Sequence, residues 1–327
     1  MRAWVVEQPG DAHALQQADL PVPVPGPEEV RIAVRAIGIN RADIIQRMGH
    51  YPPPPGFDPR IPGLEYAGVV EAAGERVQSR AVGDPVMGLL GGGAYAEQIV
   101  THERETLDVP QTLTFTQAAA VPEAFLTAYR AVFLEGGLCP GQWCLVRGAT
   151  SGVGQAALQL IRTLGARSIA TSRQQQRLDA LASTIDFDLG LVDGDNGVAE
   201  AVREQTGGAH VVLDFVGAPV LADNLKALRR DGTQVIVGLM GGAKTDINLG
   251  ALLMRRQRLI AMTMRSLPLE RKIELAGMFN DRLLPLFDAG RLQPAVDRVF
   301  AFDAAVAAHQ YMESGAHTGK LILSLEA

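Results

Sequence analysis

The stretch Val146-Arg147-Gly148-Ala149-Thr150-Ser151-Gly152-Val153-Gly154-Gln155-Ala156-Ala157 constrains the fold more than any other part of the chain. It contains Gly152-x-Gly154-x-x-Ala157, placed where an apolar run gives way to a helical pattern. One glycine permits a tight turn, another lets backbone approach a pyrophosphate, and a small third residue lets the helix pack closely on the strand. On its own such a string is weak, because glycine clusters are common in turns. Here it sits in register with a longer pattern. Apolar runs at Trp143–Arg147, Ser168–Thr171, Leu189–Val192, Val211–Phe215, Gln234–Gly238 and Leu259–Met264 alternate with helical patterns near Val153–Leu164, Gln174–Ala182, Val198–Gln205 and Pro219–Arg230. Continuous apolar runs are the mark of strands buried on both faces. Their alternation with helices predicts an α/β fold with a doubly wound parallel sheet of the Rossmann type.

The flanking segments have a different texture. Residues 1–122 are rich in Gly and Pro, with short strand-like segments at Glu29–Ala36, Gly68–Ala73 and Ala96–Val100. Four prolines, Pro52 to Pro55, followed by Gly56, demand an irregular extended loop. A helical stretch, Glu123–Gly136, leads into the α/β region. After Arg265 come helices near Glu270–Gly277 and Ala304–Ser314 and a final strand, Lys320–Leu325, which would return to the first sheet. The expected organisation is a β-rich domain from both chain ends (1–122 plus 265–327) around an inserted dinucleotide-binding domain (123–264), with a cleft between them.

Bulk properties exclude several function classes. A net charge of −6 offers no attraction for nucleic acid or an anionic membrane. No run of about 18 apolar residues predicts a membrane span, and the N-terminus does not read as a signal peptide. Two cysteines, Cys139 and Cys144, are too few for a disulfide framework and read as packing residues near a strand start. The expectation is a cytoplasmic protein.

The choice of dinucleotide turns on the end of the second strand of the α/β region. NAD-binding domains usually place an acid about 20 residues after the first glycine to hold the ribose hydroxyls. Here the chain reads Ser172-Arg173-Gln174-Gln175-Gln176-Arg177, with no carboxylate before Asp179. Arg173 and Arg177 suit a 2′-phosphate through charge-assisted hydrogen bonds, which argues for NADPH. Solvated helix-start charges are the plain alternative.

Together with this glycine turn, further strings run along the chain: Asn40-Arg41-Ala42-Asp43, Arg47-x-Gly49-x-Tyr51, Pro62-Gly63-Leu64-Glu65-Tyr66-Ala67-Gly68, Gly83-Asp84-Pro85-Val86, Asp214-Phe215-Val216-Gly217, Met264-Arg265-Ser266 and His317-Thr318-Gly319-Lys320. In order and spacing the whole chain resembles the zeta-crystallin-like quinone oxidoreductases of the medium-chain dehydrogenase/reductase superfamily. The resemblance implies a GroES-like catalytic domain from the chain ends. It also implies that Asn40 and Tyr51 face substrate and nicotinamide, and that Thr127, Ala149, Gly152, Val153, Arg177, Gly238, Met240 and Lys320 contact the cofactor. Two departures stand out: Asp193 replaces a frequent tyrosine after the third strand, and Leu267 replaces a common arginine. Zinc alcohol dehydrogenases of the same superfamily look for Cys and Gly-His-Glu where this chain has Asn40 and Gly63-Leu64-Glu65, and its six histidines show no ligand spacing. The implied enzyme is zinc-free.

Without metal, reduction must rest on positioning, exclusion of water and a hydrogen-bond donor for developing negative charge. Asn40 and Tyr51 are the candidate donors, Glu65 is expected to be structural, and the Pro52–Pro59 loop is expected to cover part of the pocket. Quinone reduction is the first reading. The second is reduction of the double bond of an enone or enoyl thioester, and the third is a cofactor-binding protein with little turnover. The resemblance further implies a homodimer, joined through Gln234–Gly242 or Leu259–Met264.

Overall fold

In the computed structural model, which describes residues 1–193 and 197–326, the chain divides into two compact units. The first comprises Met1–Leu126 and Met264–Ala327, the second Thr127–Thr263. The sequence placed the boundary at 122, the start of a helix (Pro122–Tyr129) that runs on across it.

The first unit lays down β1 (Arg2–Val6), β2 (Leu15–Asp19), β3 (Glu29–Ile39), β4 (Glu65–Ala73), β5 (Pro85–Leu89), β6 (Gln98–His102) and β7 (Thr106–Asp108). The second contributes β8 (Trp143–Val146), β9 (Arg167–Ser172), β10 (Leu189–Val192), β11 (Ala209–Asp214), β12 (Leu228–Ile236) and β13 (Arg258–Ala261). The chain then returns to the first unit with β14 (Val296–Ala301) and β15 (Lys320–Ser324).

Strand β3 organises the first unit. Val30, Ile32, Val34 and Ala36 are buried while the residues between them are more exposed, the period-two pattern of a half-buried strand. It pairs with β4, β6 and β15 in a seven-stranded sheet ordered β14-β15-β3-β4-β5-β7, with β6 also on β3. The core on this sheet draws on both chain ends: Trp4 donates from Nε1 to the carbonyl of Phe302 at 2.8 Å, and their rings meet edge to face.

The second unit is the doubly wound sheet that the alternating pattern predicts. Its six strands are all parallel, in the order β10-β9-β8-β11-β12-β13. The chain winds outward from β8 in one direction and then steps back beside it, so crossovers cover both faces. Helix Gly152–Thr163 follows β8 and buries Ala156, Ala157, Leu160 and Ile161. At the end of β11 the buried Asp214 accepts from the N–H groups of Val216 and Gly217 (2.7 and 3.0 Å), from Asn224 Nδ2 (3.2 Å) and from Gln234 Nε2 (2.7 Å). The Asp-Phe-Val-Gly turn is thereby fastened to β12.

Several boundaries differ from the sequence reading. The helix expected over Pro219–Arg230 ends at Ala227, and β12 starts at Leu228, well before Gln234. The charged run Arg229-Arg230-Asp231 conceals the strand's start, and Asp231 sits at φ 62°. The run expected to end at Met264 leaves the sheet at Ala261. The helix expected over Glu123–Gly136 is α-helical to Tyr129 and then widens to π geometry over Arg130–Glu135. Cys144 is buried as expected, but Cys139 is exposed. Among the described residues no helix is long and apolar enough to cross a membrane.

Candidate active site

The parallel sheet places most of the expected cofactor residues along one edge. Because every strand runs the same way, the residues following β8, β9, β10, β11 and β12 all emerge at its C-terminal end, beside the point where the winding reverses. After β8, Ala149 is fully buried and donates from its N–H to the Thr171 carbonyl on β9 at 3.0 Å. Ser151 caps the helix by accepting from the Gly154 N–H at 3.1 Å. Helix geometry leaves the N–H groups of Gly152 and Val153 without partners inside the helix, at its positive end. A side chain at Gly154 would bring its Cβ to 2.5 Å from the Gly148 carbonyl oxygen, so this close approach requires glycine.

Arg173 follows β9 directly and is exposed, and Arg177 lies on the first turns of helix Gln175–Ala182. Gly238 and Met240 follow β12, donating from their N–H groups to the carbonyls of Asp214 (3.3 Å) and Phe215 (3.1 Å). Met240 is 69% exposed. Thr127 is buried within helix Pro122–Tyr129, away from this edge in sequence.

Asp193, at the end of β10, accepts from the Thr171 hydroxyl at 2.7 Å and pairs with the buried guanidinium of Arg147. Arg147 also pairs with Asp223 and donates to Asn224 Oδ1 at 2.6 Å. A carboxylate therefore does lie beside the end of β9, paired with a buried arginine that it shares with Asp223. Sequence reasoning missed this link, because Arg147 sits inside the glycine string and its partners are 46 and 76 residues away.

In the first unit, Asn40 ends β3 and begins helix Arg41–Arg47. Its Nδ2 donates to Glu65 Oε1 at 2.9 Å and to the Gly38 carbonyl at 3.3 Å, and its Oδ1 accepts from Lys320 Nζ at 2.6 Å. Glu65 is completely buried and is bound by Lys320 and, at Oε2, by the Glu123 N–H at 2.8 Å. The third donor of Lys320 goes to the Ile39 carbonyl at 3.1 Å. Lys320 was expected to reach the cofactor; here all three of its donors are spent within its own unit, on Asn40, Glu65 and Ile39. Asn40 likewise has no N–H left for a substrate oxygen, so the donor role expected of it is not the one this geometry supports. Glu65, expected to be structural, is committed to Lys320, Asn40 and the Glu123 N–H.

Tyr51 is placed differently. Its hydroxyl makes no hydrogen bond among the described residues, and burial raises its pKa above 10.0 against the lowering field of Arg265. The Arg265 guanidinium lies 4.8 Å from the ring centre, within cation–π range. It also donates to the carbonyls of Tyr51 (2.7 Å) and Gly91 (2.6 Å) and to Gln46. This clamp was missed; the only sequence signal was Arg265 in its Met-Arg-Ser string.

Beside Asn40 runs a buried polar chain. Arg47 donates to Nδ1 of His309 at 3.2 Å, so the ring's proton resides on Nε2, which meets the Tyr95 hydroxyl at 2.9 Å. Tyr95 donates in turn to Asp43 Oδ2 at 3.3 Å, an atom that also accepts the Asn40 N–H at 2.8 Å. Burial dominates both titrating members: it raises the Asp43 carboxyl from 3.8 to about 7 and lowers His309 from 6.5 to about 3.

The donor set does not fit a catalytic zinc. Such a site takes three protein ligands, and among the described residues no three His, Cys, Asp or Glu side chains converge to hold a metal ion. Glu65, the carboxylate at the relevant place, is already committed to an ammonium, an amide and a backbone N–H.

Two measurements check this geometry. Lys320→Met leaves the buried Glu65 carboxylate without its counter-ion and should cost about 3–5 kcal/mol in urea unfolding, with Glu65→Gln in the same background recovering part of the loss. The pH dependence carries two opposite signs. Folded Asp43 keeps its proton to about pH 7 while the unfolded chain releases it near 3.8, so this group's stabilisation is lost as pH rises through that window. Folded His309 stays neutral down to about pH 3 while the unfolded ring protonates near 6.5, so its stabilisation is lost as pH falls. Relative to wild type, Asp43→Asn should therefore gain stability as pH rises across the acidic-to-neutral range, and His309→Gln should lose it. Urea titrations over a pH series read both slopes.

Comparison with known proteins agrees with this architecture. The family described as alcohol dehydrogenase GroES-like domain matches residues 26–111, and the one described as zinc-binding dehydrogenase matches residues 188–323. The chain is 32% identical over 330 residues to the synaptic vesicle membrane protein VAT-1 homolog of Rattus norvegicus, covering 96% of this chain and 81% of that protein. Among solved structures, the quinone oxidoreductase of Pseudomonas syringae pv. Tomato DC3000 superposes with a TM-score of 0.89 at 29% identity, covering 99% of each chain. The Escherichia coli quinone oxidoreductase complexed with NADPH gives 0.88 at 26% identity, covering 99% of this chain and 100% of that one. The pairing of a GroES-like unit with a doubly wound dinucleotide-type unit, matched over most of the length of these relatives, places the chain in the medium-chain dehydrogenase/reductase superfamily, among its VAT-1 and quinone oxidoreductase-like members.

Proposed function

We propose that the protein is an NADPH-dependent quinone reductase that works without a catalytic metal. The observation that carries this reading is the C-terminal edge of the parallel sheet. There the glycine turn and the positive end of helix Gly152–Thr163 suit a pyrophosphate, and Arg173 and Arg177 suit a 2′-phosphate. Pairing of Asp193 with Arg147 lessens its opposition to that phosphate. The NADPH bound by the similar E. coli enzyme supports the same choice.

When bound, NADPH supplies the hydride. The chain's own residues orient the acceptor and meet the charge that develops on its oxygen. Tyr51, protonated and with an unengaged hydroxyl, is the donor to that oxygen. Arg265 holds the tyrosine from the ring face and from its carbonyl. Asn40, locked by Glu65 and Lys320, is a positioning residue that fixes the end of β3 and the start of helix Arg41–Arg47.

Steady-state oxidation of NADPH and NADH in the presence of EDTA, with panels of quinones and enones, tests the reading. Quinones should turn over faster than enones and NADPH should be preferred to NADH. Arg173→Ala with Arg177→Ala should raise the KM for NADPH by about 10–100-fold with little change for NADH. Tyr51→Phe should lower kcat by about 10²-fold. Turnover of enones alone, or binding without oxidation, would sink the quinone reading.

The proposal includes a homodimer joined at β13, the outer strand of the parallel sheet. Next to it, helix Leu249–Arg255 leaves Leu249, Leu253 and Met254 more than two-thirds exposed, at 67%, 76% and 72%. A bare strand edge beside apolar side chains is what a matching edge on a second copy would cover. Sedimentation velocity should show a dimer that Leu253→Glu with Met254→Glu converts to monomer.

A further inference from the structure

The opposite end of the parallel sheet, where β8, β11, β12 and β13 begin, takes no part in the cofactor and acceptor binding proposed above, yet arginines gather there. A hollow of about 400 Å³ there is lined by Gln142, His210, Arg229, Arg230 and Arg258, among others. A second hollow of about 350 Å³ shares Arg229 and Arg230 and adds Arg203 and Arg255. Five guanidiniums thus gather on a chain whose net charge is −6. The acid at the rim, Asp231, is occupied by a bidentate pair with Arg256 at 2.7 Å on both arms. Arg203, Arg230 and Arg258 make no ion pair among the described residues.

The polar groups of the first hollow present donors. His210 accepts the Trp143 N–H at Nδ1 (3.1 Å), so its ring proton lies on Nε2. That Nε2 sits 2.6 Å from Nη1 of Arg229, which can only donate. Two donors converge with no acceptor between them, and Arg230 and Arg258 border the same space. An acceptor with several oxygens and negative charge satisfies all of them at once.

We propose that this pair of hollows binds a small phosphate-bearing anion, a phosphoanhydride with one phosphoryl group against His210, Arg229 and Arg258 and the next towards Arg203 and Arg255. Guanidinium forks match phosphate oxygens in shape as well as charge. The shared pair Arg229 and Arg230 sets two phosphoryl groups side by side, which favours a linked pair over a single phosphate. This site is separate from the glycine turn, which lies at the other end of the same strands, and it does not depend on the quinone reading.

Calorimetric titration of the full-length protein with inorganic pyrophosphate, repeated with inorganic phosphate, tests the proposal. Saturable binding of pyrophosphate, tighter than phosphate, is expected. Arg229→Gln with Arg258→Gln should weaken it by at least about tenfold, with unchanged thermal midpoint because both side chains are exposed. His210→Gln, which cannot present the same ring donor, should weaken it as well. Arg173→Gln with Arg177→Gln should leave it intact. No saturable binding at millimolar pyrophosphate would overturn the site, as would loss only in the Arg173/Arg177 variant, which would place the anion at the arginines that follow β9. Vesicles containing phosphatidic acid distinguish a lipid-borne phosphate from a soluble one: capture on vesicles without calorimetric binding of pyrophosphate would likewise overturn the proposal, since a recessed hollow should take the free anion.

Discussion

A carboxylate with no access to water governs the first unit. Glu65 is fully buried, and a bare charge in such a place would cost many kcal/mol. It is tolerated because an ammonium, an amide and a backbone N–H reach it together. Each donor comes from a different part of the chain, and sheet order brings them together. With β3 between β15 and β4, Ile39 stands opposite Leu321 and Gly38 opposite Glu65. Gly38 has to lack a side chain, since a Cβ would strike both the Glu65 carboxylate and the Ala119 carbonyl. The position of Asn40, and with it the entry into helix Arg41–Arg47, follows from satisfying Glu65.

The buried chain from Arg47 to Asp43 obeys the same logic with the opposite solution. Here no full counter-charge reaches the titrating groups closely enough, and burial pushes each towards its neutral form. A neutral imidazole is what the geometry needs, because only it can accept from Arg47 on one nitrogen and donate to Tyr95 from the other. Two neighbouring polar clusters in one unit thus differ in kind: Glu65 keeps its charge by pairing, whereas Asp43 and His309 are pushed towards neutrality beside an Arg47 that pairs with Glu313.

Much of the second unit was legible in the sequence because its signals are local. The glycine turn, its capping serine and the apolar runs of β8, β9, β10 and β11 all announce themselves within a few residues. The start of β12 was hidden by Arg229, Arg230 and Asp231, whose charges serve the end of the sheet rather than its interior. In the first unit, β14 escaped notice because most of its residues are exposed and it lacks a clear apolar pattern. The partners of the expected site residues left no local trace. Nothing near Asn40 shows that Lys320 and Glu65 occupy its amide, and nothing near Tyr51 shows that Arg265, 214 residues on, holds its carbonyl. Long-range polar partners leave no periodicity behind.

The division of the first unit between the two chain ends has a consequence for biosynthesis. The second unit is one continuous segment, Thr127–Thr263, and all six of its strands have emerged from a ribosome while the remaining residues are still being added. The first unit cannot close at that stage. Its Glu65 waits for an ammonium 255 residues downstream, and the edge of β3 waits for β15. A nascent chain therefore carries an open, partly charged sheet until β15 emerges. Elongation speed and chaperone access, rather than intrinsic stability, then decide how long that unfinished edge is exposed.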